Sequence, residues 1–233
     1  MIHVERHPEP GIFRSEKLLK EFKAAEGFYS QPKEKRRQQR FEFKVYINKE
    51  IKEALINNFQ NKCAYCETPI SLANSVEIEL FRPKAGARGT KTVDHDHYWW
   101  LCYEWRNFYL SCTFCARKKK NFFPVDGERA KVGAPYEEVV KEKSWLVDPC
   151  IDDPGEHISF DERGFAIPVS RKGEATIEMF DLNRPDLKSA RRAAVRKIQK
   201  AMLDFEHELN SYQKIKKNKD VRRGTSSKKK IKR

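Results

Sequence analysis

Two Cys-x-x-Cys pairs are the residues of this chain whose types and spacing point most directly to chemistry. Cys63 and Cys66 form the first pair, Cys112 and Cys115 form the second, and residues 67–111 lie between them. Four thiolates arranged as two such knuckles are the ligand set of a structural zinc ion. We therefore predict one structural Zn²⁺ held by these four cysteines. A thioredoxin-like redox motif would account for one pair but not for two.

The cellular compartment bears on the alternative of disulfide bonds. Residues 1–5 lack the basic start and the apolar run of a secretory signal peptide. We therefore expect a cytoplasmic protein, in which thiols stay reduced and disulfides are rare. Cys102 and Cys150 belong to neither pair, and we expect them to be buried thiols. With a mean hydropathy of −0.82 and no long apolar run, we expect no membrane partner.

The segment between the two cysteine pairs carries polar side chains in an apolar setting. Its first part, residues 76–84, alternates up to Pro83, which predicts a strand. The later run Trp99–Leu101 is aromatic enough to predict core. Carboxylate, imidazole and amide groups are what a hard metal ion and a hydrolytic water require. The polar residues offered by the segment are Glu79, Arg82, Lys84, Asp94, His95, His97 and Asn107.

Together with the cysteine pairs, several short stretches resemble the zinc-containing HNH endonucleases. More narrowly, they resemble the PtuB subunits of Septu and retron anti-phage systems. The likeness extends over about residues 45–195, and the stretches that carry it are 77–84, 98–101, 105–107, 146–150, 176–178 and 182–184.

The resemblance implies an α+β fold in which the zinc site staples a ββα-metal (HNH) unit. It also implies a catalytic Mg²⁺ or Mn²⁺ ion besides the structural Zn²⁺. In this family an acidic residue followed by a histidine ends the first strand, an asparagine closes a Trp-x-Asn segment, and a last Asn or His follows the second cysteine pair. Glu79 and Asn107 match the acidic residue and the asparagine.

Two positions depart from that pattern. Leu80 stands where the histidine that acts as general base should follow Glu79, and Ala116 stands where the last Asn or His should follow Cys115. Neither side chain takes a proton or binds a metal. Two interpretations remain open. Either His95 or His97 supplies the general base, or the domain is a degenerate nuclease that binds nucleic acid and partners.

The net charge of +14 is concentrated in a few segments. From Lys214 to Arg233, eleven Lys or Arg residues accompany the single Asp220, which predicts a disordered basic tail. Such a tail is either a phosphate-binding arm or a solubilising extension. A second basic run occupies residues 33–40. Near the cysteine pairs, the residues predicted to contact nucleic acid are Arg82, Lys84, Arg117, Lys118, Lys119 and Lys120.

Patterning divides the chain into four predicted parts. These are an N-terminal helical and basic segment (1–44), a zinc-bound HNH-like nuclease unit (45–125), a β-hairpin region with a long helix for partner docking (126–213), and the basic tail (214–233). Helices are predicted over 15–25, over about 49–59 and from Pro185 onward, and a hairpin over 158–168. The apolar stripe of the long helix packs either on its own domain or on a partner.

The resemblance implies an endonuclease-like effector subunit of a retron/Septu-type anti-phage complex, acting on DNA or tRNA. The alternative is a non-catalytic zinc adaptor that binds nucleic acid and an ATPase partner. The implied partners are a PtuA-like ATPase and, in the retron setting, a reverse transcriptase with its RNA–DNA product. The chain contains no Gly-rich phosphate loop, so any nucleotide hydrolysis is expected from the partner.

Overall fold

Helices and small strand pairs alternate along the chain. The structure is a computed structural model that describes residues 1–36, 39–45, 48–72, 76–84 and 86–230, with backbone alone for 72 and 218–230. It divides into two units, of which the larger comprises Met1–Asp161 and Phe165–Leu187 and the smaller Glu162–Gly164 and Lys188–Arg233.

The elements of the described residues have the following bounds. The helices are α1 (Glu16–Tyr29), α2 (Lys33–Arg36), α3 (Lys49–Asn58), α4 (Thr113–Lys119), α5 (Tyr136–Val139), α6 (Arg171–Met179) and α7 (Pro185–Lys230). The strands are β1 (Val76–Leu80), β2 (Ala87–Arg88), β3 (Val93–Asp94), β4 (Phe108–Cys112), β5 (Val125–Asp126), β6 (Lys143–Ser144), β7 (Ile158–Phe160) and β8 (Ala166–Pro168). They pair antiparallel as β1–β4, β2–β3, β5–β6 and β7–β8.

The first long helices begin at side-chain caps. The Ser15 hydroxyl accepts a hydrogen bond from the Leu18 N–H at the start of α1, and the Asn48 amide oxygen accepts one from the Glu50 N–H at the start of α3. Both caps satisfy amides that have no partner inside the helix. The helices predicted over 15–25 and 49–59 are therefore confirmed, with boundaries that differ by a few residues at one end.

The β1–β4 pair frames the site. Val76 pairs with Cys112 and Leu80 pairs with Phe108, so the two strands are paired along their whole length. Every residue of β4 is buried, which matches its apolar sequence. Helix α4 follows β4 without a loop and contacts both strands. The chain therefore has a strand, a second strand and a helix packed together in that order.

Aromatic side chains fill the core of the larger unit. Trp99, Trp100 and Leu101 are all buried, so the prediction of core for this run is confirmed. Cys102 is fully buried as predicted, whereas Cys150 is half-buried. The predicted hairpin over 158–168 is confirmed as the pair β7–β8.

Helix α7 begins at Pro185 as predicted and continues to Lys230. The structure thus differs from the predicted disorder over 214–230, while 231–233 lie outside the described residues. Lys and Arg are good helix formers, and extending a helix that has already formed fixes fewer dihedrals per hydrogen bond than starting one. Large apolar side chains from Ile198 to Ile215 are exposed on this helix. No described helix combines the length and apolarity that crossing a bilayer requires.

Candidate metal centre and the strand pair beside it

Three neighbouring elements bring the two cysteine pairs together. Cys63 and Cys66 lie in the turn after α3, Cys112 ends β4 and Cys115 lies in α4. All four side chains are buried, and their Sγ atoms lie within 4.8 Å of one another. Thiolates at these separations can converge on one tetrahedral ion, so the residues present fit a structural metal such as zinc.

Hydrogen bonds inside the cluster favour the thiolate form of two of its members. The Cys66 and Cys112 sulfur atoms are 3.7 Å apart, and the Cys66 sulfur is 3.2 Å from the Thr68 hydroxyl. Hydrogen bonding to Cys115 lowers the pKa of the Cys112 thiol to about 7, and hydrogen bonding to Cys112 lowers that of Cys66. Hydrogen bonding to Cys112 raises the pKa of the other two thiols, Cys63 and Cys115. Thiolate, not thiol, is the metal-binding form.

On the other side of the same frame, Glu79 is paired with a lysine. The Lys119 ammonium lies 2.9 Å from Glu79 Oε1 and 2.7 Å from the backbone oxygen of Leu80. The Lys119 side chain has no exposed surface. Burial raises the pKa of the Glu79 carboxyl, and the Lys119 charge opposes that rise. The Lys119 ammonium is therefore the cation that the carboxylate of Glu79 and the carbonyl oxygen of Leu80 already bind at the end of β1.

Asn107 is fully engaged with the backbone. Its Nδ2 donates to the oxygen atoms of Arg82 (3.0 Å) and Leu101 (3.1 Å), and its Oδ1 accepts from the Arg82 N–H (2.8 Å). The side chain is 1% exposed. These bonds tie the segment after β1 to the turn before β4, which is a structural use of the amide.

The structure separates the two candidate histidines. His97 is buried, with Nδ1 at 3.0 Å from an Asp94 carboxylate oxygen and its ring against Tyr98. Its Nε2 is buried without a hydrogen-bond partner among the described residues. Burial lowers the pKa of His97, although Asp94 opposes the shift. His95, by contrast, is exposed at the edge of a cleft.

The residues at the two departing positions offer no ligand. Leu80 is buried at the end of β1, and Ala116 lies within α4. With the Glu79 carboxylate held by Lys119 and Asn107 held by the backbone, the described residues do not fit the catalytic Mg²⁺ or Mn²⁺ that the resemblance implies.

The residues predicted to contact nucleic acid fall into two groups. Arg82 and Lys119 are buried, and Arg82 pairs with Glu142 at 2.9 Å, so their placement differs from the surface position that the prediction assumed. The remaining four are exposed: Lys84, Arg117, Lys118 and Lys120.

A feature missed by the sequence analysis is a cleft of about 800 Å³ next to the basic run. Its walls carry four aromatic rings, Phe28, Tyr29, Phe41 and Phe43, together with basic side chains and His95. The available signal was the position of those aromatic residues on both flanks of residues 33–40.

The described residues form a protein of mixed helices and small antiparallel sheets, with a buried four-cysteine cluster beside β1, β4 and α4. No protein-family model matches the chain. The chain is 35% identical to the Septu protein PtuB of Bacillus mycoides over 208 residues, which cover 85% of this chain and 68% of that protein.

Two further relatives show more limited similarity. A Septu protein PtuA of Bacillus mycoides is 39% identical over 128 residues, covering 54% of this chain but only 18% of that protein. A retron Vc95 putative HNH endonuclease of Vibrio cholerae is 24% identical, covering 71% of this chain and 74% of that protein. On the strength of the longest similarity, the chain belongs to the Septu PtuB family.

Proposed function

We propose that this chain is the nucleic-acid-binding, zinc-stapled subunit of a Septu-type anti-phage defence complex, and that its HNH-like centre is catalytically degenerate. The observation that carries the second part is the Lys119 ammonium, which is buried against Glu79 and the Leu80 carbonyl. A divalent ion bound by Glu79 would have to displace that buried ammonium, at the cost of leaving it without its carboxylate partner.

The order of the secondary structure supports an HNH-type origin. Strands β1 and β4 pair antiparallel, α4 packs on both, and the cysteine cluster closes the unit at the junction of β4 and α4. In this proposal the four cysteines hold a structural Zn²⁺, which fixes that junction. The retained part of the ancestral unit is its frame, and the lost part is its metal-dependent chemistry.

Nucleic-acid binding is supported by exposed positive charge. Arg117, Lys118 and Lys120 lie at the end of α4, and residues 214–230 of the basic stretch form the last part of α7. Contacts to phosphate neutralise charge and release counterions, so they bind without regard to sequence and weaken as salt rises. The proposed ligand is therefore nucleic acid, DNA or RNA.

The proposed partner is a PtuA-like ATPase. One relative named PtuA contains a segment, about a fifth of its length, that is 39% identical to part of this chain. A PtuB-like segment within a PtuA polypeptide supports physical association between the two kinds of protein. A retron reverse transcriptase with its RNA–DNA product is the corresponding partner if the retron relative is the better guide.

A second candidate function is a metal-dependent HNH-type endonuclease, that is, a hydrolase. It is favoured by the retron relative named as a putative HNH endonuclease and by the exposed imidazole of His95. In that case Glu79 and Asn107 would have to leave their present partners on activation, and His95 or His97 would accept the proton from water.

One experiment separates the two candidates. The chain is purified together with its PtuA-like partner, and supercoiled plasmid and total tRNA are incubated with and without added Mg²⁺ or Mn²⁺. The parent is compared with Glu79→Gln and His95→Ala, and binding is measured in parallel by gel shift. We expect binding by all three proteins and cleavage by none. Metal-dependent cleavage by the parent that Glu79→Gln abolishes would establish the endonuclease instead.

A further inference from the structure

We infer that the cleft between α1 and the turn after β3 is a binding site for unpaired nucleotides of a single-stranded nucleic acid. The inference rests on the nucleic-acid binding proposed above and names the form of substrate that this chain recognises. The cleft has a volume of about 800 Å³, which lies in the range of small-ligand sites and is sufficient for one or two nucleotides.

Aromatic rings form one wall of this nucleotide cleft. Phe28, Tyr29 and Phe41 are half-buried, so each keeps part of its ring surface towards solvent. The rings brace one another, with centroids 5.6 Å apart for Phe28–Phe41 and 6.2 Å for Tyr29–Phe41. Tyr29 is also stacked on Trp99 at 4.9 Å with an interplanar angle of 6°. Because Tyr29 already packs on Trp99 and has the Arg36 guanidinium 5.3 Å from its ring centroid, Phe28 and Phe41 are the rings that would stack on a base.

Basic side chains surround those rings. Lys33, Arg40 and Lys84 are exposed at the cleft, and Lys33 and Arg40 come from a different part of the chain than Lys84. His95 adds an imidazole on the same side as Lys84. Positive charge around stacking surfaces is the combination by which proteins hold single strands, since the phosphates meet cations while the bases meet ring faces.

The acidic side chains of the cleft leave that charge largely intact. Asp96 is neutralised by Arg36, whose Nη1 lies 2.6 Å from the carboxylate. The same guanidinium lies 5.3 Å from the centroid of Tyr29, so this ion pair also holds the aromatic wall in place. Besides this ion pair, Glu34 is the other acidic residue that lines the cleft, against the basic side chains of Lys33, Arg40 and Lys84.

A double helix does not match these features. Its bases are stacked on one another inside the duplex and present only edges to a protein, so the ring faces of the cleft would have no partner. The cleft therefore favours single strands, loops and unpaired ends. The basic stretch 214–233 makes no such distinction, because phosphate contacts are common to both forms.

The test measures single-strand and duplex binding separately. Fluorescence anisotropy is recorded with a labelled oligo(dT) strand of roughly a dozen nucleotides, long enough for one site, and with a duplex of equal length. The variants are Phe41→Ala and the double variant Arg40→Gln/Lys84→Gln. The controls are Phe160→Ala, which truncates an exposed ring outside the cleft, and Lys20→Gln/Lys49→Gln, which removes two exposed charges elsewhere.

We expect each cleft variant to weaken binding of the single strand by about fivefold or more, as loss of one stacking partner typically does, while duplex binding and both controls stay at the parent level. Equal single-strand binding by parent and cleft variants would overturn the inference and leave the proposed function standing. Failure of the parent to bind either nucleic acid would instead overturn the proposed function.

A second measurement uses the parent protein alone, so it does not depend on whether a variant folds. The parent is irradiated with an oligonucleotide that contains 5-iodouracil, which forms covalent bonds to aromatic side chains in stacking contact, and the linked peptide is identified by mass spectrometry. A crosslink to Phe28, Tyr29 or Phe41 supports the nucleotide cleft. Crosslinks confined to residues outside the cleft contradict it.

Discussion

The cysteine cluster and the Glu79–Lys119 pair lie on the same strand–strand–helix frame, yet they differ in what they can bind. Helix α4 contributes Cys115 to the cluster and Lys119 to the pair. The cluster collects four soft ligands of one kind. The pair combines one carboxylate with an ammonium that is already in place. The cysteine cluster thus offers a full set of four ligands to a metal ion, whereas the Glu79–Lys119 pair is electrically balanced without one.

Under the proposed function, this difference means that the fold of the unit is retained without its metal-dependent chemistry. In the proposed HNH-like unit, Glu79 is the next-to-last residue of the first strand and Asn107 directly precedes the second. Their side chains now serve packing, through an ion pair and through hydrogen bonds to the backbone. Structural metal ligands stabilise the fold in every state, whereas a catalytic centre is retained only where its activity is used.

The largest effect is expected from the cluster. Cys115→Ser should abolish stoichiometric zinc and unfold the region around β4 and α4, because structural zinc contributes on the order of 10 kcal/mol in small domains. Zinc content by mass spectrometry and a circular dichroism melt measure both. Cys150→Ser, outside the cluster and only half-buried, is the matched control and should keep its zinc. A well-folded, metal-free Cys115→Ser protein would refute the structural role.

A smaller but clear effect is expected at the pair. Lys119→Met leaves the Glu79 carboxylate buried without its partner, so we expect a loss of about 3 to 5 kcal/mol in the free energy of unfolding. The double variant Glu79→Gln/Lys119→Met should recover much of that loss, because no uncompensated charge remains. Urea denaturation of four proteins, the parent, Glu79→Gln, Lys119→Met and the double variant, gives the coupling. Strictly additive effects would show that the two groups do not interact.

Asn107 should behave as a structural residue. Asn107→Ala removes three hydrogen bonds to the backbone and leaves buried groups of Arg82 and Leu101 without partners. We expect a loss of about 2 to 4 kcal/mol in stability. Chemical denaturation measures it. A variant as stable as the parent would mean that the amide is not needed to hold the loop after β1, and would favour a role in chemistry.

The basic C-terminal stretch should affect binding and little else. Removing residues 214–233 takes away eleven basic residues, so nucleic-acid affinity should fall and its dependence on salt should flatten. The melting temperature should stay unchanged. Affinity is measured for parent and truncated protein at two salt concentrations. If the two proteins bind alike at both, the stretch is a solubilising extension.

Features that depend on a local pattern or on a known set of metal ligands could be predicted from the sequence. The helices α1 and α3, the hairpin β7–β8 and the burial of Trp99–Leu101 all follow from short-range signals. The convergence of the four cysteines followed from their spacing, because a shared metal implies proximity.

Long-range pairings were beyond such reasoning. Lys119 meets Glu79 across 40 residues and Arg82 meets Glu142 across 60, and nothing in a run of basic residues tells which member turns inward. Helix geometry explains it afterwards, since Lys119 is the residue of its run that faces the strands while Arg117, Lys118 and Lys120 face solvent. The nucleotide cleft was missed for the same reason, because Lys84 and His95 join the aromatic wall only in the folded chain.

The most direct test of the account is whether the zinc-loaded protein binds a second, divalent ion at the end of β1. Mn²⁺ is titrated into the parent and into Glu79→Gln, and free Mn²⁺ is followed by electron paramagnetic resonance. The account predicts no stoichiometric Mn²⁺ binding by the parent and identical titrations for the two proteins, because Lys119 already neutralises the Glu79 carboxylate. One Mn²⁺ per chain in the parent, lost in Glu79→Gln, would contradict it and restore the metal-dependent nuclease.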